Sequence, residues 1–291
     1  RPDATQADGL AGNRIFGEQK LSKWTPMVNV AFDVNDDVML YLTYSEGFRV
    51  GGFPPRVLGQ PENVPSYGPE EVEVIEGGIK SRWWDGRATA NLSIFDTSYS
   101  DYQALAVPDT DDPALRAAGV LNLADASLFG VEFEGQLLPT ESLRIDVSIG
   151  YLENDIDSIL GDVAFSDPFY ISNTDDLPYA PEWTSSLGAS YYWPLKNGGE
   201  MFLRADWIYS GSYFIRVEND PFSFQEDYSQ VNASVNYRHP GDQWEAKLAV
   251  QNLTDEFYQP TGFRSTVCSC SARRINRGRT VYGTISYSWG E

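Results

Sequence analysis

Between Leu143 and Tyr151 every second residue is apolar. Leu143, Ile145, Val147, Ile149 and Tyr151 share one parity; Arg144, Asp146, Ser148 and Gly150 share the other. The same period runs through Ala88, Ala90, Leu92 and Ile94 against Arg87, Thr89, Asn91 and Ser93. It recurs in Val231, Ala233, Val235 and Tyr237 against Asn232, Ser234, Asn236 and Arg238. Alternation of this length specifies β-strands with one apolar and one wet face. Eleven strands are predicted, near 23–34, 37–50, 70–84, 86–100, 119–138, 141–155, 182–193, 200–215, 228–239, 242–256 and 278–289.

Their connections alternate in length. Asn35-Asp36, Asp85-Gly86, Pro139-Thr140, Lys196-Asn197-Gly198-Gly199 and Pro240-Gly241 make short joints. The joints near 51–69, 108–119, 157–178, 218–227 and 259–276 are long and polar. A soluble sheet has no reason to collect its long loops at one end. A barrel across an outer membrane does, with short turns in the periplasm and long loops outside. The expected fold class is therefore all-β: an antiparallel transmembrane β-barrel.

Composition points the same way. No apolar run approaches the ~18 residues of a membrane helix, and strands in hydrocarbon must close to satisfy their backbone groups. Aromatics make up 14% of residues while the mean hydropathy is only −0.36. Tyr41, Tyr44 and Phe48, and Phe95, Tyr99 and Tyr102, lie toward long loops. Trp83 and Trp84, and Tyr191, Tyr192 and Trp193, flank short turns. Such bunching suits interfacial girdles, although aromatic pairs also form across any sheet. Arg87, Arg144, Arg204, Arg238 and Lys247 keep to the polar parity; on the lipid face each would cost roughly 2–4 kcal/mol near the midplane. A sandwich also alternates, so a soluble carbohydrate-binding β protein is a competing reading. The net charge of −21 excludes a nucleic-acid partner, which needs a basic footprint. It fits solvated loops and a wet lumen, or a field that selects a cationic ligand.

Five segments carry a family likeness. Trp24-Thr25-Pro26-Met27-Val28 looks like the start of a barrel strand in TonB-dependent outer-membrane receptors. Tyr41-Leu42-Thr43-Tyr44-Ser45-Glu46-Gly47-Phe48-Arg49, followed by Gly51-Gly52-Phe53, resembles their "Y-x-x-Y-S-x-G-F-R" signature. Pro69-Glu70-Glu71-Val72 with Glu76-Gly77-Gly78-Ile79-Lys80 is similar to "P-E-x-x-x-x-x-E-x-G-x-K". Asn252-Leu253-Thr254-Asp255-Glu256-Phe257-Tyr258 resembles the "N-L-T-D-x-x-Y" penultimate strand, and Gly278-Arg279-Thr280-Val281-Tyr282-Gly283 the closing strand. They occur in family order, from about Lys23 to Trp289.

The resemblance implies the outer membrane of a Gram-negative bacterium, 22 strands around an N-terminal plug, and import of a scarce nutrient with energy relayed by TonB. A ferric siderophore-type complex is the expected cargo, and a passive porin-like barrel the alternative. Residues 23–291 then form the C-terminal part of the barrel without its plug. Residues 1–22 continue a loop or incomplete strand from upstream sequence, since the chain opens at Arg1 with no signal pattern. The expected partners are TonB, through a missing N-terminal region, outer-membrane lipid and lipopolysaccharide, and a small-molecule or metal-chelate ligand.

Candidate ligand-binding residues lie in the long loops. Tyr67, Phe169, Tyr170, Phe222, Phe224 and Phe263 could form binding walls or pack loop on loop. Arg264, Arg273, Arg274 and Arg277 suit an anionic ligand, or acidic neighbouring loops and lipopolysaccharide phosphates. Asp109, Asp111, Asp112, Asp175 and Asp176 lack a calcium-loop pattern. Cys268 and Cys270 either close a small disulfide staple or stand as a free or metal-binding pair. The single histidine, His239, adjoins a short turn at the end away from these loops. No nucleophile elbow or Ser–His pair is present, so neither catalysis nor a cofactor is expected.

Overall fold

The computed structural model describes residues 19–53, 66–106, 119–160, 175–241, 243–265 and 270–289. Fifteen strands occur among them: β1 (Met27–Asn35), β2 (Val38–Arg49), β3 (Glu70–Trp83), β4 (Ala88–Ala106), β5 (Gly119–Leu137), β6 (Leu143–Ile159), β7 (Trp183–Pro194), β8 (Glu200–Ser210), β9 (Tyr213–Phe214), β10 (Phe224–Gln225), β11 (Tyr228–Arg238), β12 (Trp244–Gln251), β13 (Thr261–Ser265), β14 (Cys270–Arg274) and β15 (Thr280–Tyr287). Eleven of them make one antiparallel sheet in the order β1-β2-β3-β4-β5-β6-β7-β8-β11-β12-β15. The pairs β9–β10 and β13–β14 are separate ribbons.

The eleven sheet strands are those the alternation predicts, with shifted ends. The segment expected as 200–215 leaves the sheet at Ser210. There the Gly211 N–H donates to the Trp183 carbonyl at 2.8 Å and the chain turns into β9. The segment expected as 242–256 stops at Gln251, so the Asn252–Tyr258 motif is a turn rather than a strand. Asn252 and Asp255 take φ of 53° and 59°, a region Asn and Asp tolerate. The Asn252 side chain accepts from the Glu256 N–H and donates to the Glu256 carbonyl, both at 2.8 Å. Strand β4 runs on past residue 100 to Ala106, across a bulge at Tyr99–Tyr102 that holds Asp101 at φ 57°. Arg87 lies in a turn, not in a strand; its guanidinium donates to the Leu138 and Pro139 carbonyls of the next turn. The stretches 218–227 and 259–276 hold the ribbon strands β10, β13 and β14 where only loop was expected.

Register makes the two faces continuous. One row reads Val30, Leu42, Gly77, Ile94, Val131, Tyr151, Trp183; another reads Leu137, Ile145, Ala189, Ala205, Ala233, Val250, Val281. Between them run polar rows such as Arg144, Ser190, Arg204, Ser234 and Asp146, Gly188, Asp206, Asn232. Large apolar residues stay exposed along the first set, among them Val30, Leu42, Ile94 and Trp183. Water would not tolerate such a surface, whereas lipid requires it.

Two glycines admit rings onto the polar face. Phe95 lies over Gly130, where a Cβ would come within 2.2 Å of the ring. Tyr41 lies over Gly78 in the same way, donates to Glu76 Oε1 at 2.5 Å and sits beneath Lys80 Nζ, 5.4 Å from its centroid. Two of the family-like motifs are thus one cross-strand unit. The buried apolar cluster sits at the loop end, where Leu123, Ala124, Ala126 and Ile156 of the sheet meet Leu177 and Val217 from the connections.

Candidate ligand-binding rim

The loop end is built on buried polar joints. Arg49 donates to Glu70 Oε2 at 2.5 Å and to the Gln103 carbonyl at 3.1 Å, and the Gln103 N–H donates to the same Glu70 oxygen at 2.6 Å. Gln103 Nε2 also reaches the Val50 and Gly68 carbonyls. Asn122 Oδ1 accepts from the Gly68 N–H, while its Nδ2 donates to the Asp101 carbonyl. These bonds seat both roots of the 51–69 connection on β4 and β5. Tyr67 closes that root through paired backbone bonds with Gly52 at 2.9 and 3.0 Å.

A second group joins 175–180 to 215–226. Arg216 and Glu218 form a bidentate pair at 2.5 and 2.9 Å, with 14% and 1% of their side-chain surfaces exposed. Charges so far from water persist only when paired and hydrogen-bonded. Asn219 Nδ2 donates to the Asp176 carbonyl, and its Oδ1 accepts from the Asp176 N–H. Burial, with Asp175 and Asp155 nearby, pushes the Asp176 carboxyl above its usual range. Asp220 Oδ1 accepts from the Phe222 N–H at 2.6 Å and sets the turn that presents Phe222. A groove of about 330 Å³ runs past Tyr102, Leu105, Tyr179, Ile215, Arg216 and Gly262.

Aromatic rings tie these pieces together. Arg273 lies over the Phe222 ring at 4.3 Å, so β14 is held against the 218–226 turn by a cation–π contact. Phe224 packs on Phe214 at 5.1 Å, and Tyr228 stacks on Tyr258 at 4.2 Å with planes 3° apart. Burial and the neighbouring Tyr228 push the Tyr213 hydroxyl upward in pKa. Gln225 Oε1 accepts from the Gln259 N–H at 2.6 Å.

Among the predicted residues, the structure brings together Phe222 and Arg273, while Phe224 lies on β10 and packs against Phe214. Tyr67 sits apart, at the 51–69 root. Register pairs Phe263 with Ala272, Arg264 with Ser271 and Arg274 with Thr261, so Arg273 and Arg274 fall on opposite faces of the ribbon. Phe169, Tyr170, Asp109, Asp111, Asp112 and Cys268 lie outside the described residues. Arg216, Gln259 and Tyr213 were not singled out in the sequence; each stands alone there, and only the folding-back of the connections gives them partners. His239 does sit at the short-turn end, stacked on Trp244 at 5.2 Å. That end also carries Arg144, Arg204, Asp146 and Asp206, which share ion pairs of 2.5 to 3.4 Å on the polar face.

The family model described as TonB dependent receptor-like, beta-barrel, matches residues 3–253. The chain belongs to this family. Membership of the TonB-dependent receptors places its strands in the outer membrane of a Gram-negative bacterium and sets aside the soluble reading. The family comprises transport receptors rather than enzymes, in line with the sequence. The ferric yersiniabactin uptake receptor FyuA from Yersinia pestis is similar with TM-score 0.71 and 18% identity, over 89% of this chain and 36% of that one. The ferripyoverdine receptor of Pseudomonas aeruginosa is 18% identical over 92% of this chain and 33% of its own, with TM-score 0.63. The copper transporter OprC is 17% identical over 90% and 39%, with TM-score 0.66. At such identities the likeness concerns the fold. The chain spans little more than about a third of the length of these receptors.

Proposed function

We propose that this receptor imports a ferric siderophore-type complex, with energy relayed by TonB. Its long-loop rim makes part of the ligand site. The observation that carries the reading is the Phe222–Arg273 contact, which presents an aromatic face and a guanidinium together at the loop end. A ferric chelate is commonly anionic, and guanidinium beside an aromatic wall suits it better than it suits a neutral sugar. In support, its structural neighbours include the siderophore receptor PiuA and the ferric preacinetobactin receptor BauA, both from Acinetobacter baumannii. Phe224, Phe263, Arg264 and Arg274 share the connections of Phe222 and Arg273, and Tyr67, Phe169 and Tyr170, from other long connections, complete the proposed set. Cys270 carries no free thiol, which supports a Cys268–Cys270 staple in the same connection.

Copper is the second cargo to test, because OprC is a copper transporter. Cells carrying the full-length gene, a deletion, or the gene without functional TonB would be given radiolabelled ferric chelates and copper in parallel. The reading expects chelate uptake that requires both the receptor and TonB. Uptake that persists without TonB would instead describe a passive porin, and uptake of copper alone would replace the cargo.

A further inference from the structure

The connection between β8 and β11 folds back onto the wet face of the sheet. Ala126 and Leu128 share a face of β5 with Gly130, over which the Phe95 ring lies. Register sets Ile156 and Asn154 of β6 opposite them. That face lines the lumen and carries Glu132 and Glu134 further along β5. Val217 of the connection packs into one buried cluster with Ala126 and Ile156, and Leu128 and Tyr99 lie against it. Strand β7 stands between β6 and β8. The connection therefore crosses in front of β7 to reach the inner wall of β5 and β6.

Three connections are fastened together there. The Leu177 N–H donates to Asn154 Oδ1 at 2.6 Å, which pins 175–180 to β6. The Tyr179 N–H donates to the Phe214 carbonyl at 2.8 Å, and the Tyr179 ring packs on Tyr213 at 5.8 Å. Asn219 clasps the Asp176 backbone, and Gln225 holds the Gln259 N–H. The Ile215 N–H donates to the Ser223 carbonyl at 2.9 Å and closes the hairpin. Ile215 is 5% exposed, Val217 3% and Ser223 0%. Segments that open readily have few buried apolar contacts and solvent-exposed backbone bonds. This connection has the opposite character.

We propose that the β8–β11 connection is a fixed wall of the upper lumen that selects cargo by fit, rather than a flap that closes over it. Phe222 sits in its turn, so the Phe222–Arg273 contact is held in place before cargo arrives. A preformed wall avoids the cost of ordering a loop on binding, and it rejects a wrong shape by clash. Any closing motion over bound cargo falls to other connections. The proposal rests on the receptor reading for the direction of entry, and not on which chelate is carried.

The test uses the full-length receptor in cells, as wild type and as A126C/V217C. A short methanethiosulfonate bridge between the two thiols ties the connection to the wall, and reductant releases it. Uptake is measured with radiolabelled ferric complexes of a trihydroxamate, a triscatecholate and citrate, with wild type under the same reagents as control. Tethered uptake should stay within about twofold of the released form. Uptake that stops on tethering and returns with reductant would overturn the proposal and make the connection a flap. A second variant replaces 214–225 with a Gly-Ser linker. The ratio of best to worst chelate should fall about tenfold, at unchanged heat-modifiable mobility. An unchanged ratio would overturn selection by the wall. If the linker variant does not assemble, V217N, which loosens the hairpin without shortening it, carries the same comparison. Amide exchange in 213–226 of the ligand-free receptor should run at least about 100-fold slower than in open chain. Exchange at the open-chain rate would overturn the fixed wall. A wild type that takes up none of the three chelates counts against the cargo alone, and the exchange measurement then decides the wall.

Discussion

Arg273 places its guanidinium 4.3 Å from the centre of the Phe222 ring, joining residues 51 positions apart in the sequence. A contact of this kind contributes about 0.5–2 kcal/mol. It both orders the rim and offers two recognition groups in one place. Phe222→Ala and Arg273→Gln should each weaken chelate binding by about 2- to 30-fold. The double variant should lose less than the product of the two. Strictly multiplicative losses in binding titrations would show that the pair does not act as a unit.

The Phe95–Gly130 joint makes a packing prediction. Gly130→Ala would set a methyl group 2.2 Å from the ring, and overpacking of this sort costs about 1–3 kcal/mol. Urea unfolding of the assembled barrel should shift accordingly, and Phe95→Leu in the same chain should recover much of the loss. No recovery would mean that the ring is not the obstacle.

Glu70 is buried, with 7% of its surface exposed, and it accepts from both Arg49 and the Gln103 N–H. Glu70→Ala strands that N–H and unpairs Arg49, at a cost of roughly 1–3 kcal/mol. Hydrogen exchange should quicken in 66–70 and 101–106 while the short-turn end stays protected. Uniform quickening would point to global destabilisation instead.

Asp176 gives a pH dependence. Its carboxyl is raised by burial and by Asp175 and Asp155, so the folded loop binds the proton more tightly than the unfolded chain does. Local stability is then highest in acid and falls as pH rises from the ordinary carboxylate pKa of about 3.9 to the raised value. Asp176→Asn should protect 175–180 from exchange at neutral pH and make no difference below that window. The Asn219 bonds run to the Asp176 backbone and survive the change.

The two faces separate by one residue. Ile149 lies in the apolar row between Phe133 and Ser185, and Ser148 lies between Glu134 and Ser186 on the polar side. Ile149→Lys should cost roughly 2–4 kcal/mol near the midplane, and Ser148→Lys little. Heat-modifiable mobility after outer-membrane extraction distinguishes them, and equal assembly of both would contradict the assigned lipid face.

The alternation of apolar and polar residues along the chain determined the eleven sheet strands, their faces and the end that carries long loops. A period of two is a local property, and a slip of one residue would turn every side chain to the wrong solvent. The same locality explains what was not legible. Phe222 and Arg273 were each visible as loop residues, but their meeting depends on β10 and β14 being brought to one place. The Asn252–Tyr258 motif reads as strand by its sequence, whereas in the fold Asn252 bonds its side chain to the Glu256 backbone and makes a turn. Tyr41, Glu76, Gly78 and Lys80 are separate motif residues in the sequence; register across β2 and β3 makes them a ring on a glycine, a hydrogen bond and a cation. Strand identity follows from neighbours in sequence, because pleat and solvent act residue by residue. Sites at the rim follow from long-range closure, which brings residues distant in sequence to one place.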